Sequence, residues 1–197
     1  MNPDPLSGLD RLPASFTYRN ARRGGLSDRR LRRLVEEGVL RRLGRGVYRR
    51  AGAPPAEEDL VEVARRAPGG TLCLVTALAR HGLTDRIPDR IDVALPRYRR
   101  PPRVEAPVRW HRFDAATYAL GREEITVDDG ARIGLYSPER CIVDAFRLRH
   151  REGEDLAVEA LRAWLRRPGA VPSALLALAG SFPRAEPALR EALRILL

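Results

Sequence analysis

A chain of 197 residues is long enough for one larger domain or two small ones, and a hydrophobic share of 44% supports a packed core, which excludes a disordered chain. No run of 18 apolar residues occurs, so no membrane-spanning helix is expected, and residues 1–10 lack a basic segment followed by an apolar one, so no secretion signal is expected either. The net charge of +10 is concentrated: residues 1–50 hold 13 Arg against 5 acidic residues, whereas residues 51–197 are nearly balanced, which points to a polyanionic partner, nucleic acid first.

All 36 basic residues are Arg. Codon bias in a GC-rich genome accounts for Arg in place of Lys, but not for the excess before residue 50. Cys73 and Cys141 stand alone, without metal-ligand spacing, and read as small buried hydrophobes in a reducing cytoplasm.

In chain order, Leu6, Leu9 and Leu12 share a helical face, and Pro13 would end that first helix. Thr17 is a candidate N-cap for a second helix, Tyr18 to Arg23, with Ala21 facing in. Gly24-Gly25 makes a turn and Leu26 packs back. Ser27 caps a third helix whose apolar face is Leu31, Leu34 and Val35, with Asp28 suiting its positive start and Gly38 its end. Two β-prone runs then flank Gly44-Arg45-Gly46, which predicts a hairpin over residues 39–50.

A basic helix followed at once by a basic hairpin is the plan of a winged helix-turn-helix, expected over residues 1–50. In that arrangement the third helix enters the major groove with its N-terminal residues toward the bases. Here those are Ser27, Asp28, Arg29, Arg30 and Arg33, with Arg suited to bidentate reading of guanine. Arg32, Arg41, Arg42 and Arg49 suit phosphates, and Arg45 at the hairpin tip could reach a minor groove. Two plainer readings stay open: a solvated Arg-rich face, and a winged fold used for protein contacts.

Residues 51–56 (Ala-Gly-Ala-Pro-Pro-Ala) read as a linker, with residues 57–197 as a second, α+β domain. Its expected elements are a helix over 57–67; a strand or helix start over 71–75; a helix over 76–81; strands over 91–95 and 108–113; a hairpin of strands 123–127 and 132–136 turning at Asp128-Asp129-Gly130; and helices over 137–150, 153–166, 172–179 and 186–197. The expected fold class is therefore α+β: a winged helix-turn-helix, then short antiparallel strands followed by helices. The loop between the strands at 91–95 and 108–113 carries Arg97, Tyr98, Arg99, Arg100 and Arg103. It reads either as a second contact to nucleic acid or a partner, or as a solvated hairpin loop.

With no Lys there is no phosphate-binding P-loop and no Schiff-base chemistry, and no other catalytic motif is present. His81, His111 and His150 are scattered, and Asp114, Asp128 and Asp144 are the best carboxylates an enzyme reading could invoke. No catalytic residue, metal or cofactor is expected.

The chain resembles the AbiEi-type antitoxins of bacterial type IV toxin–antitoxin systems. The residues that carry this are Phe16-Thr17, Gly25-Leu26-Ser27, Leu31, residues 34–40, and Gly44-Arg45-Gly46-Val47-Tyr48; further on, residues 76–83, 91–96, Ser137-Pro138-Glu139-Arg140 and Asp144 also fit. Thr76 stands where that family's pattern has Ser. The resemblance implies a repressor of its own operon that binds an inverted repeat in double-stranded DNA upstream of its gene. It also implies an antitoxin that counteracts a nucleotidyltransferase-like toxin encoded beside it, through a link that need not be direct contact. A solitary regulator and a module that holds the toxin directly are the alternatives.

Overall fold

The computed structural model describes residues 8–197. These fall into two compact units. Unit 1 comprises the described residues through Gly70 together with Pro101–Pro107 and Glu124–Ile133; unit 2 comprises Thr71–Arg100, Val108–Glu123 and Gly134–Leu197. The composition step at 51–56 is not where this division falls, because the helix that follows that stretch groups with the N-terminal residues.

Unit 1 opens with a turn over residues 8–11, not the expected helix; Leu6 lies outside the described residues, and Leu9 is buried. The elements are β1 (Ser15–Thr17), α1 (Tyr18–Arg23), α2 (Asp28–Glu36), β2 (Leu40–Gly44), β3 (Val47–Arg50) and α3 (Glu58–Arg66). Helix α1 begins at a capping box: the Thr17 hydroxyl accepts from the Asn20 N–H, and the Asn20 side chain accepts from the Thr17 N–H at 3.1 Å. Gly25, at φ +84°, makes the turn into α2, a conformation a side chain would strain. Strand β1, unforeseen in the sequence, pairs antiparallel with β3, and β3 with β2, so the sheet order is β1-β3-β2. Phe16, Ala21, Leu26, Leu31, Leu34 and Leu40 join Leu9 in one core cluster. Each large apolar member contributes about 1.5–3 kcal/mol by leaving water.

Unit 1 is closed by polar contacts at the turn of residues 128–130. The Arg49 guanidinium pairs with the Asp128 carboxylate at 3.2 Å, the Ala14 N–H donates to Asp129 at 3.0 Å, and Arg65 donates to the Asp129 carbonyl at 2.9 Å and to Ser15. On α3, the buried Glu62 carboxylate accepts from the backbone N–H groups of Glu105 and Ala106.

Unit 2 is built from β4 (Thr71–Leu72), α4 (Leu74–Arg80), β5 (Ile91–Pro96), β6 (Val108–Phe113), α5 (Ala115–Tyr118), β7 (Arg122–Asp128), β8 (Ala131–Tyr136), α6 (Pro138–Arg147), α7 (Arg149–Glu152), α8 (Glu154–Leu165), α9 (Pro172–Ala179) and α10 (Glu186–Leu196), with most of β7 (124–128) and the first half of β8 (131–133) counted in unit 1. The strand order is β6-β5-β4-β8-β7. The expected antiparallel set is corrected here to a mixed sheet. β5 and β6 run parallel, as do β4 and β8, while β4 and β5 are antiparallel. The segment between β5 and β6 is therefore a crossover and not a hairpin loop.

Ser137 caps α6 with Pro138 in its first turn, as the sequence implies; the helix stops at Arg147, short of His150, and α7 follows. On α6, Arg140 and Asp144 are fully buried and paired at 3.0 Å. The Arg140 guanidinium lies 4.3 Å from the Tyr136 ring centre and 4.5 Å from that of Phe182, and donates to the carbonyls of Thr117 and Leu120. Burial pushes the Asp144 carboxyl up, against the pull of Arg140 and Arg147.

Candidate nucleic-acid interface

The interface candidate is the outward face of α2 with the β2–β3 hairpin, all in unit 1. Leu31 and Leu34 are buried, so the helical period sends residues 28, 29, 32, 33 and 36 to the opposite side, and all five are exposed. Three of them are arginines: Arg29, Arg32 and Arg33. Ser27 takes the cap position, its hydroxyl accepting from the Arg30 N–H at 3.2 Å, so that oxygen already serves the helix. Arg30 is half-buried, the least outward of the four arginines.

Helix α1 holds the start of α2 through side chains. The Tyr18 hydroxyl donates to the Asp28 carboxylate at 2.7 Å, which pushes the Tyr18 hydroxyl pKa up, and Arg22 stands 3.6 Å from the same oxygen. Arg22 also donates to the Leu26 carbonyl at 3.1 Å, across the turn. Toward the other end, Arg33 pairs with Glu37 at 2.7 Å; both groups are well exposed, so solvent screens the pair and leaves Arg33 available to a stronger anion.

In the hairpin, Gly46 takes φ +72° at the tip, and its carbonyl accepts from the Tyr18 N–H at 2.7 Å, which ties the tip to α1. Arg45 beside it is exposed. Arg42 is exposed with its Nε donating to the Gly44 carbonyl at 3.2 Å, and Arg41 is exposed but paired with Glu58 of α3. Arg49 is a correction. It is 1% exposed, held by Asp128 and by the Pro54 carbonyl, and cannot reach a phosphate. Its partner lies 79 residues away, but its placement was readable: Arg49 alternates with Val47, which is buried on the same face of β3.

Three arginines of α1 were missed. Arg19, Arg22 and Arg23 are exposed at i, i+3, i+4 spacing, opposite the buried Ala21. That spacing was the available signal. Tyr18 was also missed, its role depending on a contact with the next helix.

The residues proposed for a second contact do not fall in one unit. Arg97, Tyr98, Arg99 and Arg100 belong to unit 2 and are exposed; Arg103 belongs to unit 1, where its carbonyl accepts from Arg66 at 3.3 Å. The three carboxylates of an enzyme reading are each engaged elsewhere. Asp114 caps α5, Asp128 pairs with Arg49, and Asp144 pairs with Arg140 and Arg147. His111 and Asp92 form a buried pair at 2.8 Å, and His81 contacts the Tyr136 carbonyl at 2.7 Å. Cys73 and Cys141 are buried free thiols, and burial pushes both pKa values well up. Among the described residues, no three His, Cys, Asp or Glu gather to hold a metal ion, and no helix is long and apolar enough to cross a membrane.

Residues 15–51 match the family model of the AbiEi antitoxin, a transcriptional regulator. The matched segment runs from β1 through β3 and so contains the whole candidate face. No curated protein matches the chain.

Proposed function

We propose that unit 1 is a winged helix-turn-helix that binds double-stranded DNA at an inverted repeat upstream of its own gene, as a cytoplasmic repressor. We propose further that the protein serves as the antitoxin to a nucleotidyltransferase-like toxin encoded beside it. The observation that carries the DNA reading is the exposed arginine stripe of α2 beside the exposed Arg45, within the segment that matches a family of antitoxin regulators.

In this reading Arg29 and Arg33 meet base edges, where a guanidinium pairs with guanine through two hydrogen bonds, and Arg30 reaches them less directly. Arg32 and Arg42 meet phosphates, with Arg41 joining them once released from Glu58. Arg45 approaches the minor groove from the hairpin tip. Asp28, held by Tyr18 and Arg22, fixes where the first turn of α2 sits. The arginines of α1 extend the basic surface.

A mobility-shift titration with the fragment upstream of the gene tests this. A retarded complex is expected, and Arg29→Ala or Arg33→Ala should each weaken it by about 1–3 kcal/mol. Binding by the wild type to no duplex, with co-purification of a neighbour-encoded protein, would replace the DNA reading with that of a toxin-holding module. Repression without a toxin gene alongside would leave a solitary regulator.

A further inference from the structure

Unit 2 carries a second basic surface that the duplex reading does not use. Arg97, Arg99 and Arg100 are exposed on the turn that leaves β5, and among the described residues no carboxylate lies within ion-pair distance of any of them. Arg190 and Arg194, also exposed in unit 2, differ from them in pairing with Glu186 and Glu191. Asp114, the acid at the end of β6, is engaged as the cap of α5, accepting from the Ala116 N–H at 2.9 Å. Uncompensated guanidinium groups so close in the chain repel one another, and a polyanion relieves that repulsion.

Between the arginines stands Tyr98, 74% exposed. The turn is preformed: the Arg97 N–H donates to the Phe113 carbonyl and the Arg99 N–H to the Pro96 carbonyl, each at 2.8 Å, and Pro101 and Pro102 fix the backbone beyond. The parallel register sets Leu95 beside Arg112 and ends at Pro96 beside Phe113, just before Arg97, so Arg112 adds an exposed charge on the strand adjoining the turn. Little ordering is then needed on binding.

We infer that this turn is a binding site for single-stranded nucleic acid, in which Arg97, Arg99 and Arg100 hold consecutive phosphates and Tyr98 stacks on an unpaired base. The aromatic ring decides between strand and duplex. A duplex offers phosphates to the arginines but no free base face to the tyrosine, whereas every base of a single strand has one. The site is independent of α2 and does not rest on the duplex reading.

Fluorescence anisotropy of the full chain with a labelled single-stranded oligothymidylate tests it, beside a duplex of equal length. The R97A/R99A/R100A variant should lose most of the affinity for the strand, with the slope of log K against log salt falling by about 2. Tyr98→Ala should weaken strand binding about 5-fold or more, and Tyr98→Trp should retain it. R29A/R33A should lower the affinity for the duplex several-fold more than that for the strand. Strand binding untouched by the loop variants would overturn the proposal. So would loss of duplex and strand binding alike in the triple variant with Tyr98→Ala silent, since the turn would then be a phosphate contact alone. All four side chains are exposed, so the variants fold.

Discussion

At the scale of single residues, unit 1 depends on charges that neutralise one another out of water. Burial disfavours the ionised Asp128, but the hydrogen bonds from Arg49 and Ser15 outweigh it, so its carboxyl sits below the ordinary carboxylate value. A folded-state pKa depressed in this way stabilises the fold above the unfolded value, and the contribution is lost as pH falls through the folded one. Unfolding free energy should therefore decline as pH drops below about 4. Asp128→Asn should be less stable at neutral pH and should show a shallower acid-side decline. Denaturant titrations across that range check this, and parallel curves for the two proteins would contradict it. The same pairing withdraws Arg49 from the proposed DNA-facing set and leaves the exposed arginines of α2 and the hairpin tip as its candidates.

At the scale of elements, the hairpin is shaped from beneath by α3. A Cβ added at Gly44 would fall inside the contact distance of the Glu62 carboxylate. That carboxylate is fixed by the N–H groups of Glu105 and Ala106, and moving it would leave buried donors unpaired. Gly44→Ala should therefore lower stability by about 1–3 kcal/mol, and Glu62→Ala combined with it should cost less than the two single changes added together. Thermal unfolding of the four proteins in that cycle is the check; additive losses would contradict the contact. Local elements of this kind were legible where short-range rules act. The caps at Thr17, Ser27 and Ser137, the burial of Ala21, Leu26 and Leu31, and the Gly-Arg-Gly hairpin all follow from residues within a few positions of each other. Strand β1 was not, since three residues acquire strand character only by pairing with β3. Nor was the purpose of Gly44, which is set by a carboxylate far along the chain on α3.

At the scale of the whole molecule, two compact units share the chain without following its order, because residues 101–107 and 124–133 return to unit 1. Composition could not reveal this: a step in charge and a Pro-Ala stretch mark a change of sequence character, whereas a unit is defined by what packs together. The alternation in 91–95 and 108–113 identified both strands, but the period of two is the same for either pairing direction, so the parallel β5–β6 ladder was hidden. Its connecting segment was too long for a tight hairpin, the one clue on offer. The basic surface of unit 1, in contrast, was legible as a charge excess confined to residues 1–50. The most direct test of its proposed role is the salt dependence of binding to the upstream duplex. Each phosphate contact removed should flatten the slope of log K against log salt by about 0.9, so Arg32→Ala and Arg42→Ala should each reduce it by that amount in a steep wild-type titration. A wild-type affinity for that duplex that does not change with salt would contradict the account.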